Sequence, residues 1–214
     1  MGPPGAGKGT QAKRLVEKFN VVHLSSGDIL RAEKAGGSAL GKELAAYMDA
    51  GKLVPDDTVV SVMAKALTES ATGGLLLDGF PRTVPQAKSL DMQLAKAGKP
   101  LDAVIVMSAN ADLIVARIVG RRSCPACGRV YHATNMPPKR DGVCDECGGT
   151  LIHRDDDKES VVRQRLDAYL KQTEPVIAYY RTQPKLRIVD VDGTLPADTV
   201  TAQMAQALQA IQGK

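Results

Sequence analysis

The chain of 214 residues has the length of one domain of ordinary size. Hydrophobic residues make up 43% and charged residues 24%, and no apolar run approaches the ~20 residues that a membrane span needs. The net charge of +4 suits polyanionic small molecules but is too weak to indicate nucleic acid. With no signal pattern at its start, the sequence predicts a cytoplasmic protein that binds neither membrane nor nucleic acid.

Short apolar runs alternate with stretches of helical period, which predicts an α/β domain over residues 1–214 with a parallel sheet flanked by helices. The predicted strands cover residues 21–24, 75–78, 103–107 and 187–191. The predicted helices cover residues 8–19, 28–36, 38–51, 56–70, 83–98, 111–120, 158–182 and 197–212. Asp28, Ser38 and Pro55 mark helix starts, and Pro175 predicts a bend or break in the long helix.

A glycine-rich phosphate loop opens the chain, because Gly2 to Lys8 fits the pattern G-x-x-x-x-G-K. Glycines let successive backbone N–H groups turn towards phosphates, and the following helix adds its positive end. Lys8 would reach the β- and γ-phosphates. The alternative is a plain Gly/Pro-rich turn, which the dense glycine run and the helix-forming stretch behind it disfavour. Since Gly9 follows Lys8, the hydroxyl on the Mg²⁺ side falls to Thr10.

A second set of phosphate-handling residues begins at Asp78, which ends an apolar run. A carboxylate at the carboxyl end of a parallel strand lies where open α/β sheets bind ligands, and it would suit Mg²⁺ or its waters. Alone, it would more simply be an Asp that ends a strand in a turn, and any single arginine would be solvated surface. Several arginines converging on one cleft would instead clamp two polyphosphates, and the candidates are Arg31, Arg82, Arg117, Arg121, Arg154, Arg163 and Arg165.

Residues 121–157 are rich in Gly, Pro and charge and lack helical period, which indicates an inserted subdomain. It contains two C-x2-C pairs separated by sixteen residues, Cys124 with Cys127 and Cys144 with Cys147. This spacing is a strong zinc signal, and four thiolates would close the shell around a structural ion. Free thiols or two disulfides are the alternatives, which a reducing cytoplasm disfavours.

Seven further stretches follow GPPGAGKGT in a fixed order: LSSGDILRA, AGKLVPD, LLLDGFPRTVPQA, RIVGRR, HRDDD, VRQRL and VDGT. Together they resemble adenylate kinase of the bacterial type with a long zinc-binding lid, over residues 2–194. The resemblance implies the P-loop nucleoside monophosphate kinase fold and the reaction ATP + AMP = 2 ADP, with Mg²⁺ and structural Zn²⁺ as cofactors. It also implies a monomer, an AMP-binding subdomain at residues 25–54 and a lid at residues 120–157.

The resemblance further implies roles for individual residues. The residues that would bind ATP are Gly5, Ala6, Gly7, Lys8, Gly9, Thr10, Arg117, Arg121, Val130, Tyr131 and Leu195. Those that would bind AMP are Ser26, Arg31, Lys52, Leu53, Val54, Gly79, Phe80, Pro81, Arg82, Gln86, Arg154 and Arg165, with Gln86 at the adenine edge. The catalytic set would be Lys8, Arg82, Arg121, Arg154 and Arg165, while Asp78 and Thr10 would hold Mg²⁺ through water.

Three other functions fit parts of the sequence. One is a kinase for another nucleoside monophosphate, or one that uses GTP as donor, and Ser26 keeps this open because Thr is frequent at that position of the family. A zinc-ribbon module for nucleic acid or protein is a second, although residues 121–157 have charges of mixed sign. A regulatory P-loop ATPase would not need the DGFPR stretch or the second arginine set.

The phosphate loop lacks the strand that normally precedes it, because only Met1 stands before Gly2. In the resembled family, a short apolar strand runs into the first glycine. Four or five buried aliphatic side chains at ~1.5–3 kcal/mol each would contribute on the order of 6–15 kcal/mol, as much as the net stability of a domain. We therefore expect the natural protein to begin several residues upstream, with an apolar strand ending at Gly2.

Overall fold

The computed structural model describes residues 1–70 and 74–212 of the chain. Its helices are α1 (Lys8–Phe19), α2 (Ser26–Ala35), α3 (Ala39–Asp49), α4 (Asp56–Glu69), α5 (Val84–Lys96), α6 (Ala111–Val119), α7 (Glu159–Ala168), α8 (Glu174–Arg181) and α9 (Ala197–Gln212). Its strands are β1 (Val22–Ser25), β2 (Leu75–Asp78), β3 (Ala103–Ser108), β4 (Arg121–Ser123), β5 (Val130–His132) and β6 (Arg187–Asp192). The predicted alternation of strands and helices is confirmed, and none of the described helices is long and apolar enough to cross a membrane.

The helix termini follow capping chemistry. Ser38 accepts a hydrogen bond from the Gly41 N–H at 2.9 Å and begins α3, as predicted. The prediction that a helix starts at Asp28 is wrong: the Ser25 hydroxyl accepts the Asp28 N–H at 3.2 Å, so α2 begins two residues earlier. Serine serves here as the cap, and Asp28 adds its negative charge within the first turn.

The long helix breaks where proline predicts it. A π-helical turn, Tyr169–Thr173, separates α7 from α8. Pro175 stands in the first turn of α8, where a missing N–H leaves no hydrogen bond of the helix unmade.

The parallel strands form two pairs. Strand β1 pairs with β2 from Val22 opposite Leu75 onward, and β3 pairs with β6 from Ala103 opposite Arg187 onward. Among the described residues, no strand hydrogen-bonds to both pairs. The Met107 N–H donates to the Met1 carbonyl at 2.9 Å, so Met1 extends the second pair at the edge facing the first.

Separate apolar clusters hold the two strand pairs. Leu44, Met63 and Leu90 are fully buried in the cluster around β1, β2 and their helices. Leu15 and Met204 join α1 to α9 in the cluster beside β3 and β6. Helix α1 contacts β1 and β2, and its Leu15 clusters with Met107 of β3, so the phosphate loop that precedes α1 lies near the ends of β2 and β3.

Residues 121–157 contain no α-helix, as predicted. Strand β4 pairs with β5 in antiparallel fashion, and Ser123 also bridges to Ile152. The small core of this segment consists of Cys124, Tyr131, Cys144 and Leu151. So little apolar surface is buried here that the segment needs another source of stability.

Candidate active site

The phosphate loop curls around the Lys8 side chain. Lys8 Nζ donates to the carbonyl oxygens of Gly2 and Pro3, at 2.8 and 2.7 Å. Gly5 and Gly7 have positive φ angles of 76° and 98°, and a Cβ on Gly5 would lie 2.9 Å from Ile118. Only glycine allows this path, which delivers the chain to the N-terminus of α1 with its N–H groups exposed to a ligand.

Asp78 ends strand β2 beside the loop, and His23 lies within the neighbouring strand β1. His23 Nε2 is 3.5 Å from Asp78 Oδ2. Burial opposes ionisation of Asp78, but His23 and the Lys8 charge outweigh it and hold the pKa of the carboxyl below its usual value. Burial also lowers the pKa of Lys8 to about 8, against the opposing effect of Asp78. A charged carboxylate therefore faces the phosphate loop.

The opposite end of the site is organised around the Gly79 carbonyl. It accepts hydrogen bonds from Ser26 Oγ at 2.6 Å and from Arg82 Nε at 2.7 Å. Gln86 Oε1 accepts the Arg82 N–H at 2.8 Å, and Gln86 Nε2 donates to Asp56 Oδ1 at 2.8 Å. Gly79 has a φ of 73°, and a Cβ there would lie 2.9 Å from Ser26 Oγ, so this arrangement requires glycine.

Two further arginines are held by consecutive carboxylates. Arg121 Nε donates to Asp157 Oδ2 at 2.9 Å, and its Nη2 contacts the other carboxylate oxygen. Arg165 Nη1 lies 2.9 Å from Asp156 Oδ2, and Arg31 Nη1 lies 4.0 Å from the same atom. The fully buried Asp157 raises the pKa of Arg121 despite the opposing effect of burial. Sequence reasoning noted HRDDD as a stretch and missed these two acids as arginine partners.

Arg82 and Arg154 differ from these arginines. Within residues 1–70 and 74–212, no carboxylate forms an ion pair with either side chain. Burial, together with neighbouring arginines, lowers the pKa of each to about 10. A cluster of partly buried cations with too few acids is a site that favours an anion.

The far side of the site is formed by the 121–157 segment and the loop after β6. Arg117 Nη1 donates to the Gly193 carbonyl at 2.7 Å, which fixes its guanidinium beside Leu195. The Tyr131 hydroxyl accepts the Asp145 N–H at 2.7 Å and lies 3.6 Å from Cys144 Sγ. Sequence reasoning missed Lys13, whose Nζ donates to the Gly128 carbonyl at 2.6 Å and ties α1 to this segment.

Every residue that the sequence predicted for ATP, AMP or Mg²⁺ lines one cavity of about 820 Å³. The cavity runs from the phosphate loop to Ser26 and Gln86, with arginines between. Of the seven candidate arginines, Arg163 alone does not line it, and instead pairs with the exposed Glu159 at 2.7 Å.

The four cysteines also come together. Their Sγ atoms all lie within 4.8 Å of one another. A tetrahedral Zn²⁺ with Zn–S bonds of ~2.3 Å would place its sulfurs about 3.8 Å apart. The contacts of 3.4 and 3.5 Å between opposite pairs are far longer than a disulfide bond of ~2.05 Å. The cluster is therefore compatible with zinc, and the disulfide alternative is wrong.

Comparisons with known proteins agree with this geometry. The adenylate kinase family model matches residues 1–185. Proteins named adenylate kinase from Methanocella arvoryzae and Methanococcoides burtonii are 47% and 48% identical to the chain, over 98% and 97% of its length and 96% of theirs. One from Finegoldia magna is 45% identical over 98% of this chain and 97% of its own. The chain belongs to the adenylate kinase family.

Proposed function

We propose that the chain catalyses reversible transfer of the terminal phosphoryl group of ATP to AMP, giving two ADP. One observation carries this proposal: a single cavity of about 820 Å³ has the phosphate loop at one end and the Ser26–Arg82 set at the other. The name of the relatives supports the same pair of substrates. Two phosphate-binding ends facing each other across arginines suit transfer between two nucleotides and not hydrolysis of one.

The phosphate loop would hold the donor. Backbone N–H groups at the start of α1 would bind the β- and γ-phosphates of ATP. Lys8 would leave the Gly2 and Pro3 carbonyls and follow the phosphoryl group as a flexible point charge. On the far side, Arg117, Val130, Tyr131 and Leu195 would lie along the adenosine of ATP.

The unpaired cations would hold the acceptor. Arg82 and Arg154 are partly buried and form no ion pair among the described residues, so the phosphate of AMP would supply the missing negative charge. Gln86 Oε1 and one amide N–H are taken by Arg82 and Asp56, which leaves one N–H for the adenine edge. Ser26, Arg31 and residues 52–54 would close around the same nucleotide.

The paired arginines would act on the phosphoryl group in transit. Asp157 and Asp156 orient Arg121 and Arg165 towards the cavity between the two ends. Phosphoryl transfer requires charge stabilisation and alignment more than a base, and the arginines that line the cavity would supply that charge. Each lost donor would raise the barrier by ~3–4 kcal/mol, by analogy with oxyanion-hole donors.

Mg²⁺ fits the site at Asp78. This carboxylate faces the phosphate loop. It lies so close to Gly9 that a Cβ at this glycine would be 3.6 Å from Asp78 Oδ2. Asp78 would hold the ion through water and Thr10 would add its hydroxyl, which are the oxygen donors that Mg²⁺ prefers. The ion would neutralise charge on the phosphate oxygens.

The cysteine cluster would hold a structural Zn²⁺ in a lid at residues 120–157. Its closed thiolate shell leaves no position for substrate, so the ion would stabilise the lid and take no part in the chemistry. Closing the lid and the AMP-binding subdomain, residues 25–54, would exclude water that could otherwise hydrolyse ATP. We also propose a monomer, as the family resemblance implies, and the thiol cluster supports a reducing, cytoplasmic setting.

A coupled assay for ADP formation tests the proposal. ATP would be offered with AMP, GMP, CMP and UMP, and AMP with GTP, at equal concentrations of Mg²⁺. We expect ATP with AMP to be fastest by at least tenfold, and the Lys8→Met variant to lose this activity. A faster rate with another acceptor or donor would replace the substrate assignment. ATP hydrolysis that does not depend on any acceptor would overturn the proposed transfer.

A further inference from the structure

The side-chain amide of Gln86 is held in one orientation. Gln86 is 1% exposed, and it lines the end of the cavity that we propose for AMP. Its Oε1 accepts the backbone N–H of Arg82 at 2.8 Å, and its Nε2 donates to Asp56 Oδ1 at 2.8 Å. A backbone N–H can only donate and a carboxylate can only accept. A flipped amide would therefore lose both bonds and face groups of its own kind.

Asp56 is itself held from behind the site. Its Oδ2 accepts the Thr83 hydroxyl at 2.9 Å, and Thr83 Oγ in turn accepts the Gln86 backbone N–H at 3.3 Å. Asp56 is the first residue of α4 and Thr83 caps α5, and the two helices pack in one buried apolar cluster. Neither Asp56 nor Thr83 lines the cavity. These hydrogen bonds therefore act on the cavity only through Gln86.

A fixed amide reads the edge of a purine in one order only. With its two bonds made, Gln86 keeps one N–H and one lone pair on Oε1 without a partner in the described part of the chain. Adenine places an acceptor, N1, beside a donor, its 6-amino group, and can meet both. Hypoxanthine has nearly the same shape, but it places a donor, N1–H, beside an acceptor, O6. It would meet the fixed amide donor to donor and acceptor to acceptor, which leaves buried polar groups unpaired.

We propose that Asp56 is a positioning residue for base selection. By holding the Gln86 amide against a flip, it makes the acceptor end prefer 6-aminopurine to 6-oxopurine monophosphates. This inference rests on the proposed function, because it needs AMP at this end of the cavity. If the amide could turn over, the same side chain would match a 6-oxopurine. Arg82 holds the amide through a backbone N–H, so Asp56 is the side chain that decides its orientation.

The experiment measures the binding of AMP and of inosine monophosphate by calorimetry, without ATP. The chains compared are the unmodified one, Asp56→Ala, Asp56→Asn and Asp57→Ala. Alanine removes the acceptor, whereas asparagine can still offer Oδ1 to Gln86 and an amide N–H to Thr83 Oγ. Asp57 is exposed in the same first turn of α4, so its replacement controls for the charge lost at the start of this helix. If Asp56→Ala does not fold, Asp56→Leu takes its place, because leucine has a similar shape and no acceptor.

We expect the unmodified chain to bind AMP at least ~tenfold more tightly than inosine monophosphate. Asp56→Ala should lower this ratio about fivefold or more, while Asp56→Asn and Asp57→Ala leave it within about twofold. ADP formation from ATP and AMP by the unmodified chain tests the proposed function separately. If that transfer occurs and folded Asp56→Ala keeps the ratio, the inference about Asp56 alone is overturned. It is also overturned if Asp56→Asn lowers the ratio as much as Asp56→Ala, because the charge and not the acceptor would then set the preference.

Discussion

Arginines at this site differ in what balances their charge. Arg121 and Arg165 contact carboxylates, so their positive charge is already compensated in the absence of nucleotide. Arg82 and Arg154 have no such partner in the described chain, and their pKa values fall to about 10. Replacing Arg121 or Arg165 leaves a carboxylate without its main cationic partner. Replacing Arg82 or Arg154 instead removes repulsion between neighbouring positive charges. Mutations that look alike should therefore affect stability in opposite directions.

Lys8→Met should lower the rate of ADP formation by at least ~10²-fold, because it removes the group that we propose as donor to the transferring phosphate. It should also raise stability at pH 7. Burial lowers the pKa of Lys8 from 10.5 to about 8, which means that the charged form is less favourable in the folded than in the unfolded chain. Removing it should add on the order of 1–3 kcal/mol to the free energy of unfolding.

The pH dependence provides the control for Lys8→Met. Between pH 8 and 10.5 the unfolded chain binds more protons at Lys8 than the folded one, so the stability of the unmodified chain rises with pH. The advantage of Lys8→Met should be complete below pH 8 and disappear towards pH 10.5. Denaturant unfolding at several pH values measures it, and a pH-independent difference would contradict the assigned pKa.

Arg121→Met should lower both activity and stability. It leaves Asp157, which is fully buried, with only the 3.7 Å contact to Arg165. Breaking a buried ion pair in this way costs about 3 kcal/mol. The double variant Arg121→Met with Asp157→Asn should regain most of the stability and none of the activity. Equal stability of the single and double variants would show that the buried Asp157 carboxylate does not need Arg121 as its charge partner.

At the scale of elements, the 121–157 segment depends on its cysteines. Its buried core has four residues, two of them cysteines. The turns after Cys124 and Cys144 are closed by Gly128 and Gly148 N–H groups, each 2.9 Å from a cysteine carbonyl, and they aim the thiols at one point. An ion that joined the two turns would supply folding free energy to this small core.

Chelation, or Cys124→Ser, should unfold this segment first. Amide exchange within residues 121–157 should accelerate, while β3 and β6 keep their protection, because the ion supplies folding free energy only locally. Metal analysis of protein purified without chelators should give about one zinc per chain. Substantially less zinc, or loss of protection throughout the chain, would contradict a local structural ion.

Lys13 should hold the same segment against α1. Its Nζ donates to the Gly128 carbonyl at 2.6 Å and approaches that of Cys127 at 3.4 Å. Lys13→Met should increase amide exchange around Cys124–Gly128 about fivefold, the equivalent of one hydrogen bond of ~1 kcal/mol. Lys18→Met is the matched control, because Lys18 is exposed on the same helix. Equal exchange in the two variants would show that the contact does not hold the segment.

At the scale of the whole molecule, the main feature is the division of the parallel strands into two pairs, β1 with β2 and β3 with β6. An apolar cavity of about 560 Å³ lies between them and is lined by residues of β2 and β3. We expect the folded chain to bind an apolar dye such as ANS, which reports accessible apolar surface. Fluorescence should fall when Ala103, which lines the cavity, is replaced by Leu, and should not fall with Ala97→Leu at an exposed position. Equal dye binding by both variants would place the dye elsewhere.

Local chemistry explains why many elements were predictable. Residues 8–19 and 197–212 were predicted to the residue, since helical period and turn residues mark both ends. The start of α2 was missed because serine and aspartate are both good caps, and only the formed hydrogen bond distinguishes Ser25 from Asp28. The prediction that the natural protein begins upstream of Met1 stays a prediction, as do the limits of the subdomains and the role of each site residue.

The sequence by itself determined the family, the order of strands and helices, and the cysteine cluster, because each depends on residues close together in the chain or on spacing. Only the tertiary structure decided which arginines are paired, because Asp157 lies 36 positions from Arg121. The tertiary structure alone also revealed the Lys13 contact with Gly128, 115 positions away, and the apolar cavity between the strand pairs. Contacts across such separations depend on how packed elements meet, and local pattern contains no record of that.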